Sequence, residues 1–163
     1  MLDVAQGDTP PIVTSRSDVI RPLIAMGVGS FAVGTSEFVI MGLLPEVSAD
    51  LSISIPQAGH TISAYALGVV IGAPILALLG AKIARNLMLI ILMGLFTLGN
   101  LASALSNDYH WMMAMRFLSG FPHGTYFGIA ALVAASLVPV HKRAQSVAMT
   151  MLGLSLATLL GVP

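Results

Sequence analysis

The sequence predicts an all-α fold, a polytopic bundle of transmembrane helices, and three observations predict it. Only 9% of the 163 residues are charged and 56% are apolar, against roughly 25% charged in an ordinary soluble domain. Four stretches, 51–81, 86–107, 117–141 and 144–163, contain no Asp, Glu, Lys or Arg, and each reaches the roughly 20 residues that span a hydrocarbon core. A fifth apolar stretch, Pro22–Pro45, is interrupted only by Glu37. Seven acids balance seven bases, so no basic stripe exists for a nucleic acid, and too few charges exist to clothe a soluble enzyme. The absence of Cys excludes disulfide frameworks, thiolate zinc sites and Cys nucleophiles.

Residues 1–21 are polar, contain Pro and lack an apolar period, which predicts a flexible cytoplasmic tail. Five spans follow, at about 22–45, 58–79, 87–105, 111–138 and 144–163, with a lipid bilayer as their solvent. The first is a membrane helix and not a signal-peptide core, because four more spans follow and no small-residue cleavage site ends it. The fourth is longer than a crossing needs and accommodates the excess by tilting. Orientation follows from Lys and Arg. Arg16 and Arg21 lie in the tail, Lys82 and Arg85 after span two, and Lys142 and Arg143 after span four. The connections after spans one and three carry only Glu46, Asp50 and Asp108, which puts the amino terminus in the cytoplasm. Trp111 stands where an interfacial aromatic anchor belongs.

Small residues at spacings of four mark packing faces. Span four has Gly120, Gly124 and Gly128; span two has Ala64, Gly68 and Gly72, followed by Pro74. Residues four apart share a helix face, and glycines there let two backbones approach closely. Such faces also suit a moving interface in a transporter. Gly27 and Gly29 add a weaker patch in span one.

Two charges sit within spans, Glu37 and Arg116. A central charge costs at least about 2.5–3.5 kcal/mol on insertion scales, so each is expected to face the protein interior or a water cavity. Glu37 lies eight residues before Pro45 and Arg116 eight residues after Asp108, so both sit roughly 12 Å below the same boundary. Opposite charges at equal depth predict a pair, either a site where Glu37 binds and releases protons as helices move, a static ion pair that sets register, or a substrate contact. His123, about 10 Å deeper on nearly the same face, either relays protons, binds substrate or donates a hydrogen bond across a helix interface. Thr35 and Tyr65 complete the candidate cavity residues. His60, His110 and His141 fall at interfaces or in solvent. Neither metal-ligand spacing nor a Ser/His/Asp arrangement is present, so no metal, cofactor or enzymatic activity is expected.

Several runs resemble a known family. Gly34-Thr-Ser-Glu37-Phe-Val-Ile-Met-Gly-Leu-Leu-Pro45-Glu resembles the first helix of the drug/proton antiporter branch of the major facilitator superfamily. Ile55-Pro-Gln-Ala-Gly-His60 with Ser63-Ala-Tyr-Ala-Leu-Gly-Val-Val-Ile-Gly-Ala-Pro74 is similar to the second helix of its sugar-efflux and arabinose-efflux permeases. Arg116-Phe-Leu-Ser-Gly120 matches the fourth-helix motif, and Gly153 through Gly161-Val-Pro163 resembles the opening of the fifth-helix antiporter motif. Two departures stand out. Ala81 and Ala84 replace the Asp and a Gly of the loop pattern between helices two and three, which leaves a latch built on that Asp without its residue. Val162 stands where Gly usually precedes Pro.

The resemblance implies a proton-coupled efflux transporter of a small organic solute such as a sugar or drug, in a bacterial inner membrane. It implies twelve spans in two halves, of which this chain offers the first five helices of a six-helix half and lacks the carboxy-terminal half. The chain is therefore expected to be a truncated product or fragment, with no independent transport as the alternative reading. Each half of such a permease is two inverted three-helix repeats, which makes spans one and four counterparts and places Glu37 and Arg116 on a central cavity.

Overall fold

The computed structural model describes residues 15–161. Helix α1 (Arg16–Gly42) is followed by a short α2 (Leu44–Asp50), then by α3 (Ile55–Leu79), α4 (Arg85–Ala104) and α5 (Tyr109–Ser136). A 3₁₀ turn (Val140–Lys142) leads into α6 (Arg143–Gly161). The architecture is an all-α bundle.

Local chemistry sets the ends. Ser15 caps α1 by accepting from the Ser17 N–H, and Asp18 lies in the first turn, where a negative charge complements the helix dipole. The helix thus begins at Arg16, and the last residues of the expected 1–21 tail are helical; residues 1–14 of that tail lie outside the described residues. The apolar run marks where lipid begins, whereas hydrogen bonding carries the helix beyond it. Pro45 stands in the first turn of α2, where its missing N–H costs nothing. Ser54 and Gln57 form a reciprocal capping box at the start of α3, with Pro56 alongside, and Asp108 caps α5 by accepting from the Trp111 N–H at 2.9 Å.

Helix α5 is the hub, packed along α3, α4 and α6, while α1 packs chiefly along α6. Four segments are long and apolar enough to cross a membrane: α1, α3, α4 and Val140–Gly161. At 28 residues α5 is longer than any of these, yet it is not among them. Its position explains this. Arg116, Ser119, Thr125 and Tyr126 are all buried on α5, and a helix shielded by its neighbours can carry polar groups that lipid would penalise. The outward faces are the reverse, with Val28, Val70, Leu78, Ile90 and Leu98 all largely exposed, an apolar surface suited to acyl chains and not to water.

The close pairs are built on glycine. A Cβ on Gly68 would strike the Phe117 carbonyl, and one on Gly120 the Tyr65 carbonyl. Gly72 lies against Phe121 and Gly124 against Ala73. Gly128 differs from the packing role expected of it: it is exposed, with open space where a Cβ would stand. At about 100° per residue, each step of four drifts by about 40°, so the third glycine has turned about 80° away from the first. On the opposite side Gly153 of α6 meets the Gly27 carbonyl of α1, so both long parallel pairs, α3 with α5 and α1 with α6, depend on the same device.

Candidate functional site

Arg116 of α5 is 4% exposed. Its Nη1 donates to the Ser36 carbonyl at 3.3 Å and to the Ser36 hydroxyl at 3.4 Å, and its guanidinium carbon lies 4.5 Å from the centroid of the Tyr65 ring. Nε and Nη2 make no hydrogen bond. The direct Glu37–Arg116 pair expected from depth is therefore replaced by contacts to Ser36 and Tyr65. Depth counting gives the level along a helix, not the direction around it, and adjacent residues differ by about 100°. Glu37, the next residue, is half-buried and stays within electrostatic reach of the guanidinium.

Tyr65 of α3 is buried and joins two levels of α5. Its ring meets Arg116, and its hydroxyl lies 2.9 Å from His123 Nδ1, where donor and acceptor depend on the imidazole tautomer. The two rings are edge-on, and the Phe127 ring lies 5.1 Å from that of His123. Arg116 and His123 are thus brought together through Tyr65. Thr35 is not part of this line; its hydroxyl donates to the Phe31 carbonyl of its own helix at 2.8 Å.

Ser36, which bonds Arg116, and Asn100, which bonds Ser36, were not singled out by the sequence reading. The Ser36 hydroxyl donates to the Asn100 side-chain carbonyl, tying α1 to α4, while the Asn100 amide donates to Phe96 of its own helix at 2.9 Å. A signal existed, because Asn100 is the one amide within the third span, and polar groups within a span mark sites. Tyr126 adds a second α5–α1 tie, its hydroxyl donating to the Met26 carbonyl at 2.8 Å.

The line Asn100–Ser36–Arg116–Tyr65–His123 therefore crosses four helices. It holds one permanent cation with free N–H groups able to take a carboxylate side-on, next to an ionisable carboxyl and a Tyr–His pair. Among the described residues no cluster of three or more His, Asp or Glu could hold a metal ion.

A family model described as Major Facilitator Superfamily matches residues 26–163. The chain is 50% identical over 142 residues to the inner membrane transport protein YdhP of Escherichia coli K12, covering 87% of this chain and 36% of that protein. It is 42% identical over 143 residues to the putative transporter AraJ of the same organism, covering 88% and 36%. A probable sugar efflux transporter of Helicobacter pylori is 32% identical over 141 residues, covering 86% and 36%. The chain spans a little over a third of the length of these relatives, all of which are named as transporters and not as enzymes.

Proposed function

The chain belongs to the major facilitator superfamily, a family of multi-pass membrane transporters, and on that premise we propose that it forms five helices of the amino-terminal half of a proton-coupled efflux transporter. The solute is a small organic molecule such as a sugar, a class supported by the name of the Helicobacter pylori relative. The remaining half, as the greater length of the relatives supports, closes the path, and the two halves rock about a midplane site. The basic residues flanking the spans support a cytoplasmic amino terminus in the inner membrane.

The observation that carries this reading is a buried guanidinium with two unbonded nitrogens beside a half-buried carboxyl. A charged pair is strongest when both members are desolvated and in contact. As α1 and α5 shift, Glu37 alternates between an arrangement in which Arg116 favours its ionised form and one in which it takes a proton. Arg116 stays charged throughout. Tyr65 and His123 line the solute path, and Gly68, Gly72, Gly120 and Gly124 let α3 and α5 stay close during the motion.

The test grafts these residues in place of the matching segment of YdhP and follows proton movement in energised everted vesicles as candidate sugars and drugs are added. Solute-driven proton release is expected, and it is lost in Glu37→Gln. Full proton-dependent transport by Glu37→Gln removes the coupling role. A second reading, that these 163 residues alone transport nothing, is favoured by the share of the relatives' length they span. Flux above background from the 163-residue chain in proteoliposomes would overturn it.

A further inference from the structure

A cavity of about 290 Å³ opens at the end of the bundle where α1, α4 and α2 finish and α5 begins, near the small end of the roughly 300–1,000 Å³ of ligand sites. Its apolar walls include Val39, Ile40, Leu43 and Met112. Its polar lining comprises Arg116, Ser36, Asn100, Ser103 and Ser106, with Asp50 exposed at the rim. Two of these polar groups are more than nine-tenths buried and incompletely bonded. Arg116 is 4% exposed with Nε and Nη2 unbonded, and Ser103 is 7% exposed with an unbonded hydroxyl. A buried charge whose hydrogen bonds are incomplete is costly, and one that lines a cavity is relieved by an anion entering it.

We propose that this cavity binds a small monocarboxylate with an apolar body. The carboxylate meets the Arg116 guanidinium and the Ser103 hydroxyl, and the body lies along Ile40 and Met112. Asp50, the one acidic group of the lining, disfavours a multiply charged anion and leaves a single negative charge as the fitting one. The site shares Arg116, Ser36 and Asn100 with the line described above, and its test reads anion binding and not proton movement.

The chain carries its own reporter. Trp111 is its single Trp, and the indole N–H donates to the Ala102 carbonyl at 3.3 Å, next to Ser103 and Met112 of the lining. The 163-residue chain in lipid nanodiscs is titrated with hexanoate and, separately, with the uncharged hexanamide while Trp111 fluorescence is followed. Hexanoate is expected to bind saturably and hexanamide at least about tenfold more weakly, the loss of one charge-assisted contact. Ser103→Leu, which fills the cavity, and Ala104→Phe, an exposed position that narrows its mouth, are each expected to weaken hexanoate by at least about tenfold. If Ser103→Leu does not fold, Ala104→Phe decides. Equal binding of hexanamide, no saturable hexanoate signal, or undiminished affinity in the folded variants overturns the proposal. Hexanoate binding is read by Trp111 fluorescence and proton coupling by solute-driven proton release, so loss of one and loss of the other are separable results.

Discussion

Tyr65 holds Arg116 from one side and His123 from the other: its ring centroid lies 4.5 Å from the guanidinium carbon and its hydroxyl 2.9 Å from His123 Nδ1. One side chain of α3 thereby clamps α5 at positions seven residues apart, about two helical turns. A cation over an aromatic face contributes about 0.5–1 kcal/mol when exposed and about 2 kcal/mol or more when desolvated, and the hydroxyl bond contributes about 1 kcal/mol.

Tyr65→Phe keeps the ring and loses the bond to His123, so it is expected to cost about 1 kcal/mol. Tyr65→Ala removes the ring as well and leaves a cavity, a change that costs about 3–5 kcal/mol for a buried aromatic. Unfolding in mixed detergent micelles measures both, and equal costs would falsify the assignment of the ring to Arg116.

The α3–α5 contact predicts a graded response to an added methyl. Gly68→Ala and Gly120→Ala each force a Cβ into the facing backbone and are expected to destabilise by about 1–3 kcal/mol. Gly128→Ala, facing open space, is expected to stay within about 0.5 kcal/mol of the parent. Thermal unfolding of the detergent-solubilised chain separates the two classes.

Gly153→Val is expected to part α1 from α6, because its side chain would enter the Gly27 carbonyl and the Phe31 amide. Overpacking at such a site costs about 1–3 kcal/mol or more. Cross-linking between cysteines introduced at exposed Val28 and Leu152 should fall in the variant relative to the parent; unchanged cross-linking and stability would contradict the close approach.

Arg116→Met is expected to leave folding unchanged within about 1 kcal/mol, because relief of an incompletely bonded buried charge offsets the lost contacts to Tyr65 and Ser36. Ser36→Ala and Asn100→Ala, compared singly and together, are expected to show a coupling of about 0.6 kcal/mol, typical of a hydrogen bond between membrane helices. A marked loss of stability in Arg116→Met would mean that the guanidinium contributes to the fold and is not strained by it.

Composition alone made the fold class legible. A chain with 9% charged residues and repeated charge-free stretches has no low-energy form in water, and in lipid every backbone polar group must be satisfied within a helix. The Ser and Asp caps at the helix starts act locally, but the expected start of span one followed the apolar run and fell at about residue 22 and not at Arg16. The glycines at fours were visible as a spacing, but what each meets was not, as Gly128 demonstrates. The site divides in the same way. Glu37, Arg116 and His123 stood out because charge and imidazole are rare among apolar neighbours, and their levels along the helices could be counted. Only the tertiary structure decided that Arg116 turns to Ser36 and Tyr65, that Thr35 bonds to its own helix, and that Asn100 joins the line. Rotation about a helix axis, and the choice among partners at one depth, are set by how helices dock, and side-chain packing between segments distant in the chain leaves no period in the sequence.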